Sequence, residues 1–272
     1  MSRADNVALA KFRNHKVVKA NELIQQRTHM LSVQEQKIIL FMISMLSPGQ
    51  KEFEYQTFDI IDFCDVCGID NSSGKNYENL RKAVQNLSDK SMWVIGQETD
   101  TLMRWISNAK IEKGSGKIQI RFDEEMKPFL LELKDRYTQF DLIYTLTMRS
   151  KYGVRLYEIL KSYEKLNEPV TFSLERFQAM IGSSYERWQD IKRRIIEPAI
   201  IELNDVSDLQ VSYSYKKKGR AVIEVIFNVS PKRAFEQQVE THREIQRRLD
   251  KAKAVPAGPM PGQLSLDGTE IE

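Results

Sequence analysis

The chain has 272 residues, of which 41% are hydrophobic and 29% charged, with a formal net charge of +3. That length accommodates two compact domains of ordinary size, and the balance of residue types excludes a disordered or fibrous chain. No apolar run approaches the roughly 18 residues that cross a bilayer, and the polar opening MSRADNVALAKFRNHK lacks the apolar stretch of a secretory signal, so a cytoplasmic protein without membrane contact is expected.

After this polar arm, residues 1–15, the first strong helical signal is SVQEQKIILFMISML, where Ser32 and Glu35 have the spacing of a capping box. Residues 57–68, TFDIIDFCDVCG, read as a short strand, a capping Asp59 and two turns of amphipathic helix ended by Gly68. Cys64 and Cys67 lie in that helix at CxxC spacing. A structural zinc needs about four ligands, and His15, His29 and His242 stand apart from the pair, so both thiols are read as buried, reduced and apolar, with no metal or other cofactor expected. A second helix from about Asn76 repeats Tyr77, Leu80, Val84 and Leu87 at three and four residues. RWISNAKIEKGSGKIQIRFD then reads as a hairpin around a basic, glycine-containing turn.

KDRYTQFD follows as a polar stretch, and MRSKYGVRLYEILKSYEKL as a helix burying Val154, Tyr157, Ile159 and Leu160. Residues 171–182, TFSLERFQAMIG, lie over residues 57–68 without a gap: Thr, Phe, the capping Asp59 or Ser173, Phe63 or Phe177, and Gly68 or Gly182 coincide. The next helix is expected to start near Ser184, with Trp188, Ile191, Ile195, Ala199 and Leu203 on one face. Pro198 should bend it, because proline removes a backbone donor. LQVSYSYKKKGRAVIEVIFN is a second basic hairpin, and its exit Phe227-Asn228 matches Phe122-Asp123. Beyond Pro231 come a charged helix, KRAFEQQVETHREIQRRLDKAKA, and a Pro- and Gly-rich tail of disordered composition.

Strand, helix, turn, helix, hairpin is the layout of a winged helix, whose second helix enters a major groove while the hairpin flanks it. Its repetition predicts an α+β fold of two tandem winged-helix domains related by internal duplication. The expected divisions are 16–137 and 138–231, then the charged helix 232–255 and the tail 256–272.

A DNA reader gathers Lys and Arg on one surface, because each bound phosphate releases counterions. In the second copy, Arg187, Arg193 and Arg194 project away from the apolar stripe, Lys192 falls nearer the buried face, and Ser184 and Tyr185 open the helix. Ser184 is expected to cap it, leaving the first amides open to a phosphate oxygen. Lys216, Lys217, Lys218 and Arg220 share the hairpin tip with no acidic residue among them, a repulsive cluster that an anionic partner relieves. The first copy offers Lys75, Asn76, Lys82, Gln85 and Asn86 on its helix and Lys113 and Lys117 on its wing; this half either reads bases or pairs with another protein.

Catalytic patterns are not found. GIDNSSGKN, from Gly68, has one spacer too many for a phosphate loop and Asn76 where a magnesium-binding hydroxyl belongs. Gly114-Ser115-Gly116-Lys117 lacks the upstream glycine, and three scattered histidines do not assemble a nicking site. No enzymatic activity is expected. A transcriptional regulator with the same parts, or a winged-helix module that binds proteins, remains an alternative.

Three stretches carry a family likeness: NELIQQRTHMLSVQEQKIILFMIS, MRSKYGVRLYEILKSY and IKRRIIEPAIIELNDVSDLQVSYSYKKKGRAVIEVIFNV, which with their connections span about residues 16–231. In these the sequence resembles the Rep protein family of iteron-binding plasmid replication initiators. The resemblance implies two winged helices, initiation without an ATPase or nuclease of its own, and recruitment of the host helicase and the host initiator protein. It also implies monomers on direct repeats of double-stranded DNA and dimers that repress their own gene, with the first winged helix as the dimer surface. Ser184 through Arg194 correspond to the base-reading helix of the second domain, Lys216 through Arg220 to its wing, and Lys75 through Asn86 to the helix of the first. The tail departs from this shared region. Gln263, Leu264 and Leu266 resemble a peptide that docks on the polymerase sliding clamp, but Asp267 stands where an aromatic anchor worth on the order of 2 kcal/mol belongs.

Overall fold

The computed structural model describes residues 15–26, 31–67, 76–95, 99–133, 136–166 and 168–253. The expected arm, Lys75, the helix-ending Gly68 and the clamp-like peptide at Gln263, Leu264 and Leu266 lie outside the described residues, the arm but for His15.

Two three-stranded antiparallel sheets are built alike. In the first, β2 (Gln56–Asp59) pairs with β6 (Lys117–Phe122), which pairs with β5 (Ile106–Glu112). In the second, β8 (Val170–Ser173) pairs with β10 (Ala221–Pro231), which pairs with β9 (Leu209–Lys218). In both, the strand ahead of the helix pair joins the outgoing strand of the hairpin, so the duplication read from residues 57–68 and 171–182 is one of topology as well as of sequence. Strand alternation turns Ile118, Ile120 and Phe122, and likewise Val225 and Phe227, inward.

The helices follow their caps. On α2 (Val33–Ser44) the Glu35 amide donates to Ser32 Oγ at 3.2 Å, and the Ser32 amide donates back to Glu35 Oε2 at 2.7 Å, completing the capping box. Asp59 Oδ1 accepts from the Ile61 and Asp62 amides at the head of α3 (Ile60–Cys67), and Ser173 Oγ accepts from the Arg176 amide at the head of α8 (Leu174–Ile181). Phe58 and Phe63 meet with ring centroids 5.1 Å apart, and their counterparts Phe172 and Phe177 meet at 6.5 Å, so the repeated phenylalanines fill equivalent places in the two cores. Burial raises both thiols of α3, Cys64 to about 11 and Cys67 well above its usual range, which keeps them protonated at neutral pH.

Three features depart from the sequence reading. KDRYTQFD is not merely a polar connection: its second half forms β7 (Tyr137–Asp141), paired antiparallel with β1 (Lys16–Ala20) and burying Thr138 and Phe140. Only two inward residues, with a partner strand far back in the chain, leave little local signal. Between α4 (Asn76–Ser88) and the first wing there is an additional hairpin, β3 (Ser91–Ile95) with β4 (Asp100–Arg104), without counterpart in the second copy. It buries Met92, Val94 and Met103 and leaves Trp93, Ile95 and Leu102 more than half exposed. Third, the bend expected at Pro198 takes the form of a π-helical turn, Lys192–Ile196, joining α9 (Trp188–Ile191) to α10 (Glu197–Val206). The Glu197 amide bonds back five residues to the Lys192 carbonyl, and the wider turn accommodates a ring that has no donor for Arg194 and crowds its carbonyl.

Short helices α1 (Asn21–Gln25), α5 (Lys127–Leu130) and α6 (Ile143–Leu146) fill the connections of the first half. The helix α7 (Lys151–Lys161) is buried along nearly its whole length, packed on one side against α10 and α8 and on the other against α1 and α2. The charged helix appears as α11 (Phe235–Lys253), held to α10 by Arg248, whose Nη2 donates to Asp205 at 2.9 Å. No described helix is long and apolar enough to cross a membrane.

Candidate nucleic-acid interface

In the second copy, Gly182 at φ +66° ends α8, and residues 183–186 stay irregular because their polar groups serve that end. The Ser183 amide donates to the Gln178 carbonyl at 3.0 Å, Ser183 Oγ accepts from the Tyr185 amide at 3.1 Å, and Gln178 Nε2 donates to the Tyr185 carbonyl at 2.8 Å. The helix therefore starts later than Ser184. Arg187 is its N-cap residue, no side chain caps it, and Ser184 does not serve as the cap. Ile191 and Ile195 are fully buried as the stripe requires, while Trp188 is half-buried against Tyr215, ring centroids 5.0 Å apart.

This phase leaves Arg187, Arg193 and Arg194 exposed. Arg194 is steered: its Nε donates to Asp190 at 3.2 Å and its guanidinium lies 5.5 Å from the centre of the Tyr185 ring, and the Tyr185 hydroxyl and Asp190 hold it charged beyond its ordinary range. Arg193 has no ion-pair partner among the described residues. Lys192 is half-buried and turns along its own helix, Nζ 3.5 Å from Glu197. Glu197 also accepts the Tyr213 hydroxyl at 3.3 Å; burial, with that carboxylate, pushes the phenol up to about 12.

The second wing is a hairpin closed by Lys218 opposite Ala221, with Gly219 at φ +62° supplying the left-handed residue of the turn. Lys216, Lys217 and Lys218 belong to β9, so only Arg220 joins Gly219 in the turn, and all four basic residues are exposed. No acid stands among these four, but Glu224 on the facing strand lies 3.0 Å from Lys216 Nζ and offsets part of the repulsion. The helix and wing together border an open cleft of about 830 Å³ that gathers Arg187, Lys192, Arg193, Lys217 and Arg220. Glu186, Asp190 and Glu197 also line it, a mixed character that reading the cations alone missed.

In the first copy Asn76 opens α4, and Lys82, Gln85 and Asn86 lie on its exposed face. Arg81 is exposed beside them and was legible from the same spacing. Lys113 and Lys117 flank the wing turn, whose Gly114 and Gly116 take φ +81° and +69°; the sequence GSGK is thus a hairpin tip. Lys110 and Arg121 stand over the Tyr55 ring at 4.2 and 5.3 Å, a basic edge that single-strand periodicity did not reveal because the three residues come from separate segments.

Residues 16–161 match the family model described as Initiator Replication protein, WH1, and residues 173–229 match Initiator Rep protein, WH2. The chain belongs to the replication initiator protein family. This Rep initiator is 25% identical over 225 residues to a replication initiation protein of Escherichia coli, covering 78% of this chain and 69% of that one. Its fold matches the crystal structure of Pi initiator protein in complex with iteron DNA, with a TM-score of 0.64 at 13% identity, covering 82% of this chain and 99% of that one. The family models place a winged helix at each copy of the duplicated pattern, so the two helix-and-wing surfaces of this initiator are the equivalent surfaces of two such domains.

Proposed function

We propose that this Rep protein is a plasmid replication initiator that binds iterons, the direct repeats of an origin, with both winged helices. The observation that carries this reading is the shared cleft of the second copy, where Arg187, Arg193, Lys217 and Arg220 from two elements face one space. Helix residues of that cleft, with Arg194 beside them, read base edges, while Lys216, Lys217, Lys218 and Arg220 hold phosphates. Ser184 and Tyr185 lead the chain into the groove, and Lys192 is a weaker contributor. Lys75, Asn76, Lys82, Gln85 and Asn86 with Lys113 and Lys117 form the second contact surface. A division into 16–137 and 138–231 draws support from the packing of α7 on α10 and α8 of the second copy, whereas β7 crosses it to pair with β1 and the WH1 match runs on to residue 161. The protein acts by binding in the cytoplasm, without catalysis of its own, and recruits the host helicase and host initiator protein.

The exposed strip of Trp93, Ile95 and Leu102 on the additional hairpin suits self-association, and a dimer formed there represses the initiator's own gene. Gln263, Leu264 and Leu266 are kept as a clamp-docking peptide, tested by retention on purified clamp.

Footprinting on a duplex selected by the protein from a random pool tests the reading. Tandem protected segments at about helical-turn multiples are expected; a single inverted repeat points to a regulator, and no protection to a protein-binding module. If about eight phosphates are neutralised, log K falls with log salt at a slope near −7, whereas a slope near −2 removes the two-module reading.

A further inference from the structure

A chain that reads two grooves has to hold its reading helices at a fixed distance and phase. One added base pair moves the second groove by about 3.4 Å along the duplex axis and about 35° around it. Apolar packing is non-directional and does not by itself fix such a joint. The joint in this protein is directional.

Lys19 on β1 meets Glu158 on α7 with Nζ 2.6 Å from Oε1, and the two side chains are only 4% and 6% exposed. One turn earlier on α7, Arg155 donates from Nε to the Met180 carbonyl at 3.0 Å and from Nη2 to the carbonyls of Ile24 at 2.7 Å and Gln26 at 3.1 Å. It thereby ties the end of α8 to the end of α1. Its Nη1 lies 4.0 Å from Glu158, so the carboxylate is shared between two buried cations. Two further bonds cross the same seam, Gln25 Nε2 to Ser162 Oγ and Gln36 Nε2 to the Lys151 carbonyl, each at 3.1 Å. At the N-terminal end of α7, Glu202 on α10 accepts the Arg149 and Ser150 amides. Bonds thus run from α10, the continuation of the second reading helix, through α7 to the strand and helix that open the first half.

Buried ion pairs contribute little net stability, because desolvation offsets their attraction; their best-attested use is to select one register among several. We propose that Lys19, Glu158 and Arg155 are positioning residues that set the spacing and phase at which the two winged helices read DNA. The inference rests on the two-module reading above.

The test uses the full chain and the duplex it selects from a random pool, together with duplexes carrying one or two base pairs inserted between the two groove contacts within one protected repeat. The wild-type protein should lose affinity about tenfold per inserted base pair. Lys19→Met with Glu158→Gln removes the pair and leaves Arg155 on its three carbonyls, and thermal unfolding checks that the variant folds. It should bind the native spacing more weakly, yet discriminate against one inserted pair by about threefold or less. Discrimination equal to wild type overturns the inference. If that variant does not fold, Gln25→Ala with Gln36→Ala, which removes two seam bonds and no charge, is measured in its place; unchanged discrimination there also overturns it. A wild-type footprint in which each repeat is contacted in one groove only removes the two-module reading itself, and this inference with it.

Discussion

The Glu202 carboxylate accepts the Arg149 amide at 2.6 Å and the Ser150 amide at 3.2 Å, and so holds from a different helix the two residues that lead into α7, whose N-cap is Ser150 itself. A Cβ placed on Gly153 would stand 2.3 Å from Glu202 Oε2. Arg248 of α11, 3.5 Å away, restrains the same carboxylate. Gly153→Ala gains helix propensity but displaces the Glu202 carboxylate from the two amides it accepts, and we expect a net loss of about 1 to 2 kcal/mol in denaturant unfolding. In a Glu202→Ala background the same change should become neutral or stabilising, because the obstruction is gone. A constant penalty in both backgrounds would place the cost elsewhere.

Wing lysines should act as phosphate holders. Lys217→Ala and Lys218→Ala are each expected to lower affinity for all sequences alike and to reduce the salt slope by roughly one. Lys216→Ala should do less, since Glu224 already neutralises part of its charge, and Glu224→Gln should tighten binding. Fluorescence anisotropy over a salt series measures all four.

Arg193 and Arg194 are predicted to differ from the lysines. Replacing either by alanine should cost about 1 to 3 kcal/mol on the selected duplex if it contacts a base, with a much smaller effect on unrelated DNA. Arg194 is already oriented by Asp190 and Tyr185, so Tyr185→Ala should reproduce part of the Arg194 loss. Equal losses on selected and random duplexes would reassign both to the backbone.

Trp93→Glu tests self-association. Trp93 is 54% exposed and directly opposite Leu102, so the change should shift sedimentation toward monomer while leaving thermal stability within about 0.5 kcal/mol. An unaltered oligomer distribution argues against that surface.

Acid should loosen α11. Hydrogen bonds from Arg247 and then Arg248 hold the Glu244 carboxyl down at about 2, against an ordinary 4.5. The folded-state value is depressed, so the unfolded chain binds more protons between the two, and the contribution is full above about 4.5 and lost as pH falls toward about 2. Solvent screening keeps it to roughly a few tenths of a kcal/mol, best seen as lower amide protection factors in α11 on acidification, each rate being taken relative to the intrinsic rate at that pH. Glu244→Gln should remove that pH dependence.

The sequence alone determined the duplicated core. Phe58 and Phe172, Phe63 and Phe177, and the caps Ser32, Asp59 and Ser173 are local signals: an apolar period or a side-chain oxygen three residues from the amide it accepts reports its own structure. Exposure of Arg187, Arg193, Lys217 and Arg220 followed from the same periodicity. The folded structure decided where the second reading helix begins, because Ser183 and Gln178 hold the Tyr185 amide and carbonyl and so keep the chain at Tyr185 out of the helix. It also decided the pairing of β1 with β7, the placing of Glu224 against Lys216, and the burial of Lys19 beside Glu158, all made between residues distant in the chain. Such pairings depend on which surfaces meet after each half has buried its core, and no local spacing encodes them.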